Sequence, residues 1–170
     1  MPIKFWEKYK ATFLPISRHS TCVNSSVKKT LWHYSPGTYV PKIFESGLLN
    51  PSNSGAPAER PVLWFSENQV WEPTAGKLLL NKYGQPVRSM GFTEQVERSG
   101  CVRYGIDSND IRLLAWKTVA AQAGMSRDAR RELEKRGKSL GANPMHWWGT
   151  LFSIEIDELC FEYWNGVAWI

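Results

Sequence analysis

Cysteine and histidine are scarce in this chain: three of each among 170 residues. Cys22, Cys101 and Cys160 are widely spaced and odd in number, so neither a disulfide framework nor a CxxC metal knuckle is suggested. Reduced, mostly buried thiols are the expectation. His146, in Pro144-Met145-His146-Trp147-Trp148-Gly149, has no cysteine or carboxylate at ligand spacing beside it, so no metal is expected. No apolar run approaches the length of a membrane span, and Met1-Pro2-Ile3-Lys4-Phe5-Trp6-Glu7-Lys8 lacks a signal-peptide core. The expected setting is therefore the cytoplasm, with no membrane partner. Internal repeats and low-complexity tracts are absent as well, which leaves an ordinary folded domain.

Tryptophan is plentiful. Nine tryptophans and a formal charge of +5 depart from the average, while 42% hydrophobic and 22% charged residues are usual for a globular chain. The length suits one domain with a substantial core. A modest basic excess favours acidic partners such as phosphates, a dinucleotide or nucleic acid, without choosing among them. The indoles either line a cleft or fill a core.

Residues 1–28 show no sustained period and are expected to form an N-terminal extension, with one short helix near Phe5 to Phe13; residues 29–170 form the domain. Leu31-Trp32-His33-Tyr34 has the aromatic content of a strand. Pro41 to Ser46 followed by Gly47 has proline just inside and glycine just past a short helix. A loop from Asn50 to Arg60 precedes a second buried strand at Val62-Leu63-Trp64-Phe65-Ser66. Pro73 to Lys82 is expected as a helix ended by Gly84, with loop to about Gly91. Cys101 to Ile106 alternates as a strand, and Asp107-Ser108-Asn109-Asp110 turns the chain. Helices are expected from about Trp116 to Gly124 and, capped by Ser126, from Arg127 to Leu140. Asn143 to Gly149 is expected as an aromatic loop that covers the cleft or presents a target surface. Phe152 to Ile156 and Cys160 to Trp164 are strand candidates, the latter turning through Asn165-Gly166 onto Val167 to Ile170. Several strands mixed with a few helices, without regular alternation, make an α+β domain.

The segments with chemistry are Trp32-His33-Tyr34-Ser35-Pro36, Val62 to Ser66, and Trp71-Glu72. A histidine with a nearby hydroxyl can hold a ribose, and an aromatic face can stack on a flat ring. Arg103 can grip a pyrophosphate with two parallel hydrogen bonds, or be a solvated strand residue.

Taken together, these residues resemble the ADP-ribosyltransferase-like fold, in the His, aromatic and acid branch that includes diphtheria-toxin-type enzymes and poly-ADP-ribose polymerases. The likeness covers roughly Leu31 to Trp116 by order of elements, and the tail more loosely. It implies split antiparallel sheets with peripheral helices, NAD as the substrate, and transfer of ADP-ribose to a protein or nucleic-acid acceptor. His33-Tyr34-Ser35 looks like the family's His-x-Thr/Ser motif, where the histidine and hydroxyl hold ribose and the nicotinamide amide. Val62 to Ser66 looks like the second strand, on which the family carries a stacking tyrosine; here Trp64 or Phe65 takes that place, beside Ser66 and Trp71. The family's acid lies on a late strand, which implies Glu162, with Glu155 second, while Glu72 is a candidate for support or for the acceptor side. A weaker similarity is to small phage-encoded ADP-ribosyltransferases that inactivate bacterial defences, through the run Asp107-Ser108-Asn109-Asp110-Ile111. That likeness implies a toxin or counter-defence role.

Two other functions compete. A nucleic-acid-binding module would use the basic balance and interleaved aromatics. A non-catalytic nucleotide-binding domain of the same fold is the other.

Overall fold

The computed structural model describes residues 29–52 and 57–170. The N-terminal extension and its short helix lie outside the described residues. In chain order the elements are β1 (Thr30–Pro36), α1 (Val40–Ser46), β2 (Leu48–Leu49), β3 (Leu63–Ser66), β4 (Leu78–Leu80), β5 (Pro86–Ser89) and α2 (Phe92–Ser99). There follow β6 (Cys101–Asp107), β7 (Leu114–Ala115), α3 (Trp116–Gln122), α4 (Arg127–Ser139), β8 (Trp147–Thr150), β9 (Ile154–Glu155) and β10 (Cys160–Tyr163). The domain is α+β. No helix among the described residues is long and apolar enough to cross a membrane.

Six strands form the main sheet in the order β10-β6-β1-β3-β8-β7, and every pairing is antiparallel. Because side chains alternate across a strand, the register fixes which residues share a face. Leu31 is opposite Ile106, His33 opposite Tyr104 and Ser35 opposite Val102. Leu31, Val102, Tyr104 and Ile106 join Leu63 and Phe65 of β3 in the main core. Burial of each such side chain contributes about 1.5 to 3 kcal/mol before entropy is counted. The other face carries Trp32 opposite Gly105 and Tyr34 opposite Arg103, with Trp32 also opposite Ser66 and Ser66 opposite Trp147. Gly105 is required there, since a Cβ would stand 2.6 Å from the Trp32 ring.

Helix α1 follows its punctuation: Pro41 sits in the first turn and Gly47 closes it at φ 68°. Ile43 and Phe44 pack on the main core. In α4, Ser126 caps the start by accepting from the Ala129 N–H at 3.1 Å.

Four segments differ from expectation. Pro73 to Lys82 is a single 3-10 turn, Pro73–Ala75, followed by β4, which pairs with β5. Asn81 drives the reversal: its Oδ1 accepts from the N–H groups of Tyr83 and Gln85, and Gly84 takes φ 76°. The expected loop up to Gly91 thus contains β5, and α2 begins just after it. The expected aromatic loop at 143–149 is a short turn and then β8, paired with both β3 and β7. At the C-terminal end the return is wider than a two-residue hairpin: Asn165 Oδ1 accepts from Val167 and Ala168, and Trp164 bridges Trp169. The cysteines divide: Cys101 is a buried free thiol, whereas Cys160 is disulfide-bonded. Sequence spacing says nothing of spatial approach, which is what a disulfide requires.

Candidate functional site

A cleft of about 670 Å³ lies over the β1–β3–β8 part of the sheet, within the range of small-molecule sites. Its wall is built by Trp32 and Tyr34 of β1, Trp64 and Ser66 of β3, Trp147 of β8 and Trp116 of α3. The strand residues come from alternate positions of neighbouring strands, so the pleat brings them to one face, and Trp116 is added from α3.

His33 borders the cleft at the place where β1 and β3 part company. The two strands have one registered pair, Trp32 with Ser66. The next carbonyl of β3, that of Trp64, instead accepts a hydrogen bond from His33 Nδ1 at 2.8 Å. Since a carbonyl can only accept, Nδ1 carries the proton. Burial lowers the imidazole pKa from 6.5 to about 4, helped by the positive charge of Lys77 and opposed by the Trp64 hydrogen bond. The ring is therefore neutral at pH 7, and its Nε2 presents a lone pair. Tyr104 Oη is the sole fully buried side-chain oxygen or nitrogen without a partner among the described residues. Nε2 has no hydrogen-bond partner among the described residues. Phe65 and Tyr104 hold the ring from the core side, with centroids at 6.0 and 6.4 Å.

Glu72 is the one buried acid among the described residues, 5% exposed, and the one carboxylate in the cleft wall. Its oxygens accept from Ser66 Oγ at 2.6 Å, Asn68 Nδ2 at 2.8 Å, Thr74 Oγ1 at 2.7 Å, the Thr74 N–H at 3.3 Å and Trp147 Nε1 at 3.2 Å. Every donor is neutral. Glu67, Glu94, Asp110, Glu158 and Glu162 each face a lysine or arginine, but no cation lies within salt-bridge distance of Glu72 among the described residues. The carboxylate is well solvated by protein dipoles yet its charge is not neutralised.

The indoles hold one another in place. Trp116 packs on Trp64 at 5.7 Å and on Trp147 at 5.3 Å, nearly perpendicular to the latter. Trp116 Nε1 donates to Glu134 of α4 at 2.7 Å. Gly137 of α4 leaves room for Trp147, whose ring would lie 2.4 Å from a Cβ at that position. Lys77, exposed on the cleft border, lies 5.4 Å from the Tyr39 ring centre.

Of the residues singled out from sequence, His33, Tyr34, Trp64, Phe65 and Ser66 border the cleft together. Ser35 is buried on the core face of β1, opposite Val102. Trp71 packs edge-on to Tyr34 at 5.2 Å, outside the cleft wall. Arg103 and Glu162 hold each other: Nε donates to Oε2 at 2.8 Å, and Nη2 forms an ion pair with the same oxygen. Arg103 is also stacked between Trp32 and Trp169, at 3.9 and 4.5 Å from the ring centres, and donates to the Gln69 carbonyl. Glu155 is exposed on β9, paired with Leu48 in a separate two-stranded ladder. Trp32 stands in a segment that the sequence singles out and Trp147 in the expected cleft-covering loop, but neither carries an assigned role there; Lys77 and Trp116 carry none either. For Trp147 the signal was present in the alternation of Trp147-Trp148-Gly149-Thr150, but the flanking proline and glycine suggested a loop. No family model, curated protein or solved structure matches the chain.

Proposed function

We propose that this chain is an ADP-ribosyltransferase that uses NAD and modifies a protein or nucleic acid, as a toxin or counter-defence effector. The observation that carries the reading is the convergence, in one 670 Å³ cleft, of a neutral imidazole, an indole wall and a buried carboxylate free of any cation among the described residues. His33 Nε2 accepts a hydrogen bond from a ribose hydroxyl. Trp64 stacks on nicotinamide. When the glycosidic C–N bond breaks, its electron pair stays on the ring nitrogen and neutral nicotinamide leaves. The anomeric carbon, left electron-poor, bonds to an oxygen or nitrogen of the acceptor, which gives its proton to solvent. Glu72 steadies the developing positive charge, in the role that the resemblance implied for Glu162. Lys77 at the border attracts the diphosphate.

Calorimetric titration of the protein with NAD tests the binding step. Saturable binding that is abolished in His33→Ala is the expected result; binding that His33→Ala leaves unchanged would falsify the assignment. Transfer is tested by incubation with labelled NAD and a cell lysate. A labelled macromolecule is expected with the wild type and not with Glu72→Gln.

A further inference from the structure

Resting on the ADP-ribosyltransfer reading, we propose that the acceptor is a protein, and that an extended, acidic segment of it docks by adding a strand to the free edge of β4 at the mouth of the cleft. The β4–β5 ribbon stands apart from the main sheet, each of its strands having the other as its one partner among the described residues. Its hydrogen bonds fix which way the main chain of β4 turns. Lys77 O accepts from the Met90 N–H at 2.8 Å, and the Asn81 N–H donates to the Gln85 carbonyl at 2.9 Å. Inward and outward groups alternate along an antiparallel pair, so Leu78 and Leu80 turn their N–H and C=O groups away from β5.

The two edges of the ribbon are built differently. β5 carries the extra residue of a bulge, since Leu79 is opposite Arg88 and Leu80 opposite Pro86, and Pro86 has no N–H to offer. A bulge and a proline protect an exposed strand against pairing. β4 has neither. It is also the strand beside the cleft: Gly76, Lys77, Leu78 and Leu80 border the cleft, and no residue of β5 does. Leu78 and Leu80 are 45% and 59% exposed, and they share one side of the pleat, where they offer apolar surface to the side chains of an incoming strand.

Charge selects the occupant. Between Pro73 and Thr93 the chain has no acid and three cations, of which Arg88 is paired with Glu94. Lys77 and Lys82 have no carboxylate within salt-bridge distance among the described residues, nor has Arg136 of α4, which donates to Ser89 Oγ of β5 at 2.8 Å. A second copy of this chain brings the same lysines to the edge and no carboxylate, which disfavours self-pairing. A nucleic acid supplies phosphates, but it has no row of alternating donors and acceptors for the backbone of β4, and aliphatic leucines give its bases no platform for stacking. An extended polypeptide rich in Asp and Glu meets the edge, the leucines and the charge together. A two-stranded ribbon is marginal in water, and a third strand steadies it.

The test is amide hydrogen exchange by NMR on the intact chain, read at Leu78 and Leu80, with a terminally blocked octapeptide of alternating Glu and Val as the probe. Exchange at both amides is expected to slow about fivefold or more at saturating peptide. The same peptide N-methylated throughout, or with Lys in place of Glu, is expected to leave it unchanged. Absence of protection by the acidic peptide while NAD still binds overturns this inference alone. Protection by the peptide in a protein that does not bind NAD overturns the transfer reading and leaves a peptide-binding edge. Protection that needs no peptide and grows with protein concentration assigns the edge to a second copy, against the proposal. Tighter binding of an oligothymidylate than of the peptide, or label from NAD that nuclease and not protease removes from a lysate, overturns the protein acceptor. Leu78→Pro removes one outward N–H and no bond within the ribbon, so protection at Leu80 is expected to be lost. The wild-type comparisons decide the matter even where that variant does not fold.

Discussion

His33 couples the site to the stability of the fold. Its pKa is lowered from 6.5 to about 4 in the folded protein, chiefly because burial disfavours the charged ring. Between those values the unfolded chain takes up a proton that the folded chain refuses, so acid favours unfolding. The stabilisation is complete above about pH 6.5 and is lost as pH falls towards about 4, to an extent of up to about 3 kcal/mol. Urea denaturation at a series of pH values should show the midpoint falling over this interval. His33→Gln should flatten that part of the profile, and an unchanged slope in the variant would assign the acid sensitivity to other groups. NAD affinity should follow the folded-state proton, constant from about pH 5 to pH 8 and weakening as pH falls towards about 4, where Nε2 loses its lone pair.

Helix α4 supports the cleft from behind, and Gly137 is where the two meet. A Cβ at that position would lie 2.4 Å from Trp147 Cη2 and 2.5 Å from Cζ2, a separation that forces the indole or the helix to move. Alanine is otherwise the better helix former by about 1 kcal/mol. Gly137→Ala is thus expected to destabilise the protein by about 1 to 3 kcal/mol despite the gain in propensity, and to alter tryptophan fluorescence through Trp147 and Trp116. A more stable variant with unchanged emission would mean that Trp147 is free to shift without loss. Elements whose signals are local were legible in the residues. Pro41 and Gly47 bound α1, Ser126 caps α4, and aromatic and β-branched content marks β1, β3 and β6. The β4–β5 hairpin was not legible, because Pro73 and Gly84 punctuate a turn as readily as a helix. Three successive leucines carry no period that separates the two. Gly149 misled in the same way: it is a close-packing residue within β8, where a Cβ would stand 2.7 Å from Val62, not a loop residue.

At the scale of the whole molecule, strand order separates the carboxylates: Glu162 shares the face of Arg103 and Tyr34 but stands on the edge strand β10, outside the cleft wall. The His33 and Trp64 neighbourhood was visible in the sequence because both lie on short apolar runs. The acid was not, because choosing among Glu72, Glu155 and Glu162 requires knowing which side chains share a wall, a long-range outcome of strand order. Glu162 joins Arg103 in a pair that ties β10 to β6, with Trp169 of the C-terminal segment stacked on the guanidinium. Arg103 is 7% exposed, so removing its partner's charge leaves a cation poorly solvated. Glu162→Gln should therefore cost about 2 kcal/mol or more, and hydrogen exchange should quicken in β10 and the residues after it, since their anchor is weakened. NAD affinity of the folded fraction should stay close to that of the wild type, because Glu162 does not line the cleft. A Glu162→Gln protein of unchanged stability that binds NAD but transfers no label would have the opposite meaning: the late-strand acid would be the one at work, and Glu72 would be an anchor for Trp147 and Ser66.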